Sequence, residues 1–161
     1  MLTQNQKSFA SLFEGIPLEE ITWRPKPEKW CLLEIVCHLY DEEREDFRAR
    51  IKHVFETPDK EFPKIDPQGW VTERKYMERS FEEMVSKFVN ERSQSIAWLN
   101  SLSNPPWKNV YVHNKFGEMS AEMFLGNWLA HDYLHFRQIT FTRYQFLKTH
   151  FDTRFDYAGD W

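Results

Sequence analysis

Apolar side chains recur along this chain at the three- and four-residue spacing of buried helix faces. Phe9, Leu12 and Phe13 mark a first helix over residues 3–15, with Gly15 as its stop and Pro17 beyond. Leu32, Ile35, Val36, Leu39, Phe47, Ile51, Val54 and Phe55 form a stripe from Cys31 to about residue 55. Met84, Val85, Phe88, Ile96, Leu99 and Leu102 mark a third helix, opened by the capping box Ser80-Phe81-Glu82-Glu83 and ended by Asn104-Pro105-Pro106. Phe124, Trp128, Leu129 and Ile139 carry a fourth from Ser120 to Tyr144, with Ser120 as cap and Glu122 in its first turn.

The connections differ in kind. Pro17, Pro25 and Pro27 stiffen residues 16–30. Pro58, Pro63, Pro67 and Gly69 make residues 56–70 a long irregular crossover, with a short helical turn expected over 71–79. Residues 107–119 alternate weakly, as a small extended or hairpin segment would. The aromatic, aspartate-rich tail after His150 has the composition to fold back over the helices. The expected architecture is all-α: one domain over residues 1–161, a four-helix bundle with a long crossover between helices 2 and 3.

Composition narrows the function. A net charge of −4 and the absence of a basic stripe argue against nucleic-acid binding. No apolar run reaches about 18 residues, so no membrane span is expected. The N-terminus lacks the pattern of a signal peptide. Cys31 and Cys37 are too few for a disulfide framework. Six residues apart on a helix, they point roughly 240° apart. They read as reduced, partly buried thiols of a cytoplasmic protein. The run Asp41-Glu42-Glu43-Arg44-Glu45-Asp46 reads as a solvated, mixed-charge face.

The candidate chemistry lies in a polar stripe on the fourth helix: Asn127, His131, His135 and Gln138, spaced four, four and three apart. Imidazoles at i and i+4 stand ~6 Å apart along the axis, which suits two ligands of one metal. A third imidazole, His38, sits inside the apolar stripe of helix 2, where a buried ring needs a partner. Helix periodicity alone does not decide whether the three meet. His53, His113 and His150 occupy a helix end, a loop and the tail, and read as structural or exposed.

Two segments, WCLLEIVCHLYDE (30–42) and FGEMSAEMFLGNWLAHDYLHFRQI (116–139), resemble the DinB/YfiT-like family. The lead-in RPKPEKW, the His38-Leu39 pair and the H-x-x-x-H-x-x-Q pattern carry the resemblance, and Ser80 to Leu99 resembles the family's third helix. The match covers most of residues 20–145. It departs at Cys31, where the family often has a Ser cap. The resemblance implies a four-helix bundle whose His38, His131 and His135 hold one divalent metal, zinc or nickel.

Three neutral imidazoles leave a coordination position for water or substrate, and a tri-His zinc brings the pKa of bound water to about 7. The same ion accepts a thiolate. The expected function is therefore a metal-dependent hydrolase or small-thiol S-transferase acting on a small molecule. The alternative is a non-catalytic, metal-stabilised bundle that binds a small ligand or a protein partner. Glu42, one turn after His38, and Gln138, three after His135, are the candidate catalytic or orienting groups, with Glu45 a further acid near His38 and Glu42 a candidate fourth ligand in the non-catalytic case. Trp30, Trp128 and Tyr133 are candidate pocket walls. A low-molecular-weight thiol is a candidate co-substrate, and a homodimer is compatible with an exposed aromatic helix face.

Overall fold

The computed structural model describes residues 1–159. Helix α1 (Leu2–Phe13) is followed by the short α2 (Leu18–Ile21). The second long helix is built from α3 (Leu32–Glu42), a π-helical turn (Glu43–Phe47) and α4 (Arg48–Glu56). The crossover carries α5 (Trp70–Glu73) and a 3-10 turn (Tyr76–Glu78) and leads into α6 (Phe81–Ser101). A two-stranded hairpin, β1 (Val110–His113) and β2 (Gly117–Ser120), precedes α7 (Ala121–Lys148). The architecture is the expected four-helix bundle. The aromatic tail forms a 3-10 turn at Asp156–Ala158, with the Phe155 ring against Tyr144. Its last two positions, 160 and 161, lie outside the described residues.

Local signals set the helix boundaries. Gly15 takes a left-handed φ of 67° just beyond α1. At the start of α3, Glu34 accepts a hydrogen bond from the Cys31 backbone N–H at 3.0 Å, so the carboxylate half of a capping box forms without a Ser or Thr cap. Arg24 bonds both Glu34 and the Lys29 carbonyl, which pins the proline-rich connector to that helix start. Ser80 and Ser120 accept from the N–H groups of Glu83 and Met123 at 3.3 and 3.1 Å. The hairpin pairs Val110 with Ser120 and His113 with Gly117, so the strand end is also the cap of α7.

The core has two apolar clusters. One joins α1, α3 and α6 through Phe9, Ile35, Leu39 and Phe88; the other joins α4 and the first half of α7 through Phe47, Ile51, Phe124 and Trp128. All of α3 except Tyr40 is buried. The expectation of a solvated charge run therefore fails at Asp41, Glu42 and Glu43, which are 4%, 5% and 1% exposed. Two features explain it. The crossover folds back over α3, so that the buried Tyr76 donates to Asp41 at 2.7 Å. The π turn also inserts an extra residue into the helix, which breaks the simple 3.6-residue reckoning at this run.

Candidate metal centre

His38 on α3 and His131 and His135 on α7 meet where the two apolar clusters adjoin. Their rings are flanked by Trp30, 4.8 Å from His38, and by Phe47, 5.0 Å from His131. His131 Nε2 lies 3.4 Å from His38 Nε2 and 3.0 Å from His135 Nε2. One ring nitrogen from each residue falls within 4.8 Å of the others. Nitrogens bound at 2.0–2.1 Å to one tetrahedral zinc stand ~3.4 Å apart, so this spacing fits a single ion.

Burial keeps all three imidazoles neutral, as ligation requires. Desolvation lowers the His38 pKa to about 3, aided by the neighbouring His135. It lowers His131 to about 2, with His135, His38 and the Arg92 guanidinium adding to the effect. His135 falls to about 4; burial dominates, while Gln138 and Asp132 oppose it by favouring the protonated ring. Three neutral rings cannot satisfy one another with three facing nitrogens, because each proton serves one acceptor. The buried Nδ1 atoms of His38 and His135 also lack a hydrogen-bond partner. A cation at the centre of the triangle would give every Nε2 lone pair a partner.

A different polar structure begins one residue along α7. Asp132, fully buried, receives two hydrogen bonds from Arg92 at 2.8 Å each and a third from Asn5 at 2.8 Å. The same guanidinium donates to Glu43 at 2.8 Å, and the Trp128 indole N–H donates to the other Glu43 oxygen at 3.0 Å. Burial works against the Arg92 charge, but Asp132 and Glu43 outweigh it and hold its pKa above the usual value. For Glu43 burial wins and pushes the carboxyl up, against the pull of Arg92. This network ties α1, the π turn, α6 and α7 together beside His131. It fixes the backbone from which both α7 histidines project.

A family model described as the DinB superfamily matches residues 1–139. The chain belongs to the DinB superfamily. Among solved structures it is similar to YfiT from Bacillus subtilis, with a TM-score of 0.75 and 15% identity, over 90% of this chain and 85% of that one. YfiT is described as a probable metal-dependent hydrolase with an unusual four-helix bundle topology. No curated protein matches the chain.

The other predicted site residues divide clearly. Gln138 lies close enough to His135 to favour the charged ring, yet no hydrogen bond of normal geometry reaches His135 Nδ1. Trp30, Gln138 and His135 line one cavity. Asn127 is exposed and its amide bonds the Met123 carbonyl, so the fourth member of the stripe does not join the site. Trp128 is spent on Glu43, and Tyr133 is 53% exposed.

Glu42 is buried but turns to Asp46, with which it shares a hydrogen bond. Burial and Asp46 together push its carboxyl up to about 8, with Arg50 opposing. The three-residue cluster contains no carboxylate. Glu45 pairs with Arg74 and Arg44. His53 bonds the Lys60 carbonyl, the His113 ring accepts backbone N–H groups of its own turn, and His150 lies 3.7 Å from Glu19. Cys31 and Cys37 are free and fully buried, and burial drives the Cys37 thiol up to about 12, far from a reactive thiolate.

Periodicity alone passed over Arg92, Glu43 and Asp132. Arg92 did leave a trace: it sits four residues after Phe88, inside the apolar stripe of its helix, as His38 does in the stripe of α3. A strongly charged residue at such a position requires a buried partner.

Proposed function

We propose that the protein is a metal-dependent hydrolase acting on a small molecule. The observation that carries this reading is the convergence of two buried imidazoles and one half-buried imidazole, all neutral, whose Nε2 atoms point at one another beside a cavity of about 560 Å³. His38, His131 and His135 would hold one divalent ion. Bound there, such an ion would supply Lewis-acid activation of water or of a thiol.

The chain itself contributes the rest. Burial holds the three rings free of protons above about pH 4. The Arg92 network fixes the α7 backbone, and Trp30 and Phe47 wall the centre against bulk water. Among the described residues no carboxylate joins the cluster as a fourth member, which favours an open, reactive ion over a closed structural one. The likeness to YfiT, itself described as a probable metal-dependent hydrolase, supports the same reading. Zinc and nickel both suit imidazole ligation.

The test is elemental analysis of the native protein alongside His38→Ala and His131→Ala. The native protein should carry about one zinc or nickel ion per chain and both variants close to none. Ester, amide and thiol-plus-electrophile screens on the metal-loaded protein should then show turnover that the variants lose. Native protein that binds neither ion at neutral pH would overturn the site. Full occupancy without turnover in any screen would favour a metal-stabilised binding module.

A further inference from the structure

The cavity beside His135 has a one-sided charge. It lies between the proline-rich connector and the outer half of α7, and its lining includes Lys29, Trp30, His135, Arg137, Gln138 and Thr142. Two of these are cations and no acid lines it. Among the described residues the side chains of Lys29 and Arg137 form no ion pair and no hydrogen bond.

In a second hollow, lined by Arg44, Arg74, Arg79 and Lys87, most cations are engaged, and Arg79 bonds the Arg74 carbonyl. There Arg44 and Arg74 are both paired with Asp41 and Glu45, and Lys87 with Glu83. Near α2, Arg143 is paired with Glu20. Around the Lys29–Arg137 cavity the walls are otherwise largely apolar, including Trp30 and Leu134, while Gln138 and Thr142 offer uncharged hydrogen-bonding groups.

We infer that this cavity selects a small organic acid. An apolar or aromatic body rests on Trp30 and Leu134, a carboxylate is held by Lys29 and Arg137, and the opposite end of the molecule faces His135. A guanidinium takes a carboxylate through two parallel hydrogen bonds, and an ammonium adds a point charge. This deepens the hydrolase reading by naming its substrate class, and it rests on that reading for the role of His135. The cation pair would also steer an anion toward the metal centre, an effect that salt screens.

The probes are 3-phenylpropanoate and its neutral amide, titrated by calorimetry and ligand-detected NMR into metal-loaded and metal-free wild type and into Lys29→Gln/Arg137→Gln. Wild type should prefer the acid over the amide by about tenfold, in both metal states, and the preference should shrink with added salt. The double variant should lose the preference and keep its affinity for the amide. Both positions are exposed, so its metal content and melting temperature should match wild type.

Equal binding of acid and amide, or no acid binding near 1 mM, would overturn the inference. A preference that survives in the double variant and needs the metal would also overturn it, because the carboxylate would then sit on the ion. Failure of the metal reading looks different: the native protein would hold no ion, while the acid preference of the metal-free protein would persist.

Discussion

His131 and Asp132 are adjacent in sequence and both face the interior, yet they belong to opposite kinds of polar core. Around Asp132 the buried charges meet partners: Arg92 donates to two carboxylates, and Asn5 and Trp128 supply further bonds. Around His131 the rings are neutral, crowd nitrogen against nitrogen, and leave two Nδ1 atoms without a partner. A closed network of this kind holds helices in place. An open one stores unmet bonding capacity, which folding alone does not reward and a ligand can satisfy. The contrast separates scaffold from site without reference to any related protein.

Breaking the closed side should produce the largest effect. Arg92→Leu leaves Asp132 and Glu43 as uncompensated acids in the core. Removing one partner of such a buried network costs about 3–5 kcal/mol. Denaturant melts of the metal-free protein should show a loss of that size, and adding Asp132→Asn and Glu43→Gln should recover part of it. A loss below about 1 kcal/mol would place Arg92 with ordinary surface ion pairs.

The open side should respond with the opposite sign. His135→Leu replaces a buried, incompletely bonded ring with an apolar side chain. Removing a buried polar group that lacks its partner is neutral or favourable, so the metal-free protein should gain about 1 kcal/mol. The same change should abolish metal binding, and with it the stabilisation that excess ion gives wild type. A His135→Leu variant that is clearly less stable than metal-free wild type would show that the triad holds the fold by itself.

How much of this contrast could be read in advance follows from what each signal depends on. The helices of His38, His131 and His135 were legible because apolar spacing and helix-start signals, Glu34 for one and Ser120 for the other, act locally. The pair on α7 was legible because i and i+4 share a face, His38 because it interrupts an apolar stripe, and the resemblance to the DinB/YfiT-like family joined the three into one expected ligand set. The inward turn of Glu42 and Glu43 was not legible. It depends on a π turn and on the return of Tyr76 over α3, both consequences of tertiary packing. Asn127 shows the reverse error: periodicity placed it in the polar stripe, but one turn before His131 that side of the helix faces solvent while Phe124 and Trp128 stay in the core, and the Asn127 amide bonds back to Met123.

Glu42 belongs to neither side, and its titration can show how far it stands from each. It is buried, but it shares a hydrogen bond with another acid, and its carboxyl rises from 4.5 to about 8. Between those values the folded chain binds a proton that the unfolded chain releases, so stability falls as pH rises, by up to about 1.4 kcal/mol per pH unit. The three histidines act at the other end. Their folded values lie at about 2 to 4 against 6.5 unfolded, so the unfolded chain takes up protons first and stability falls as pH drops below 6.5. The metal-free protein is thus weakened from both directions. Glu42→Gln mimics the protonated acid, so it should flatten the alkaline limb of a melting-temperature profile between pH 5 and 8. The acid limb and the metal content should stay as in wild type. An unchanged alkaline limb would show that Glu42 does not carry this proton, whereas a loss of bound metal would move Glu42 into the open network around His38.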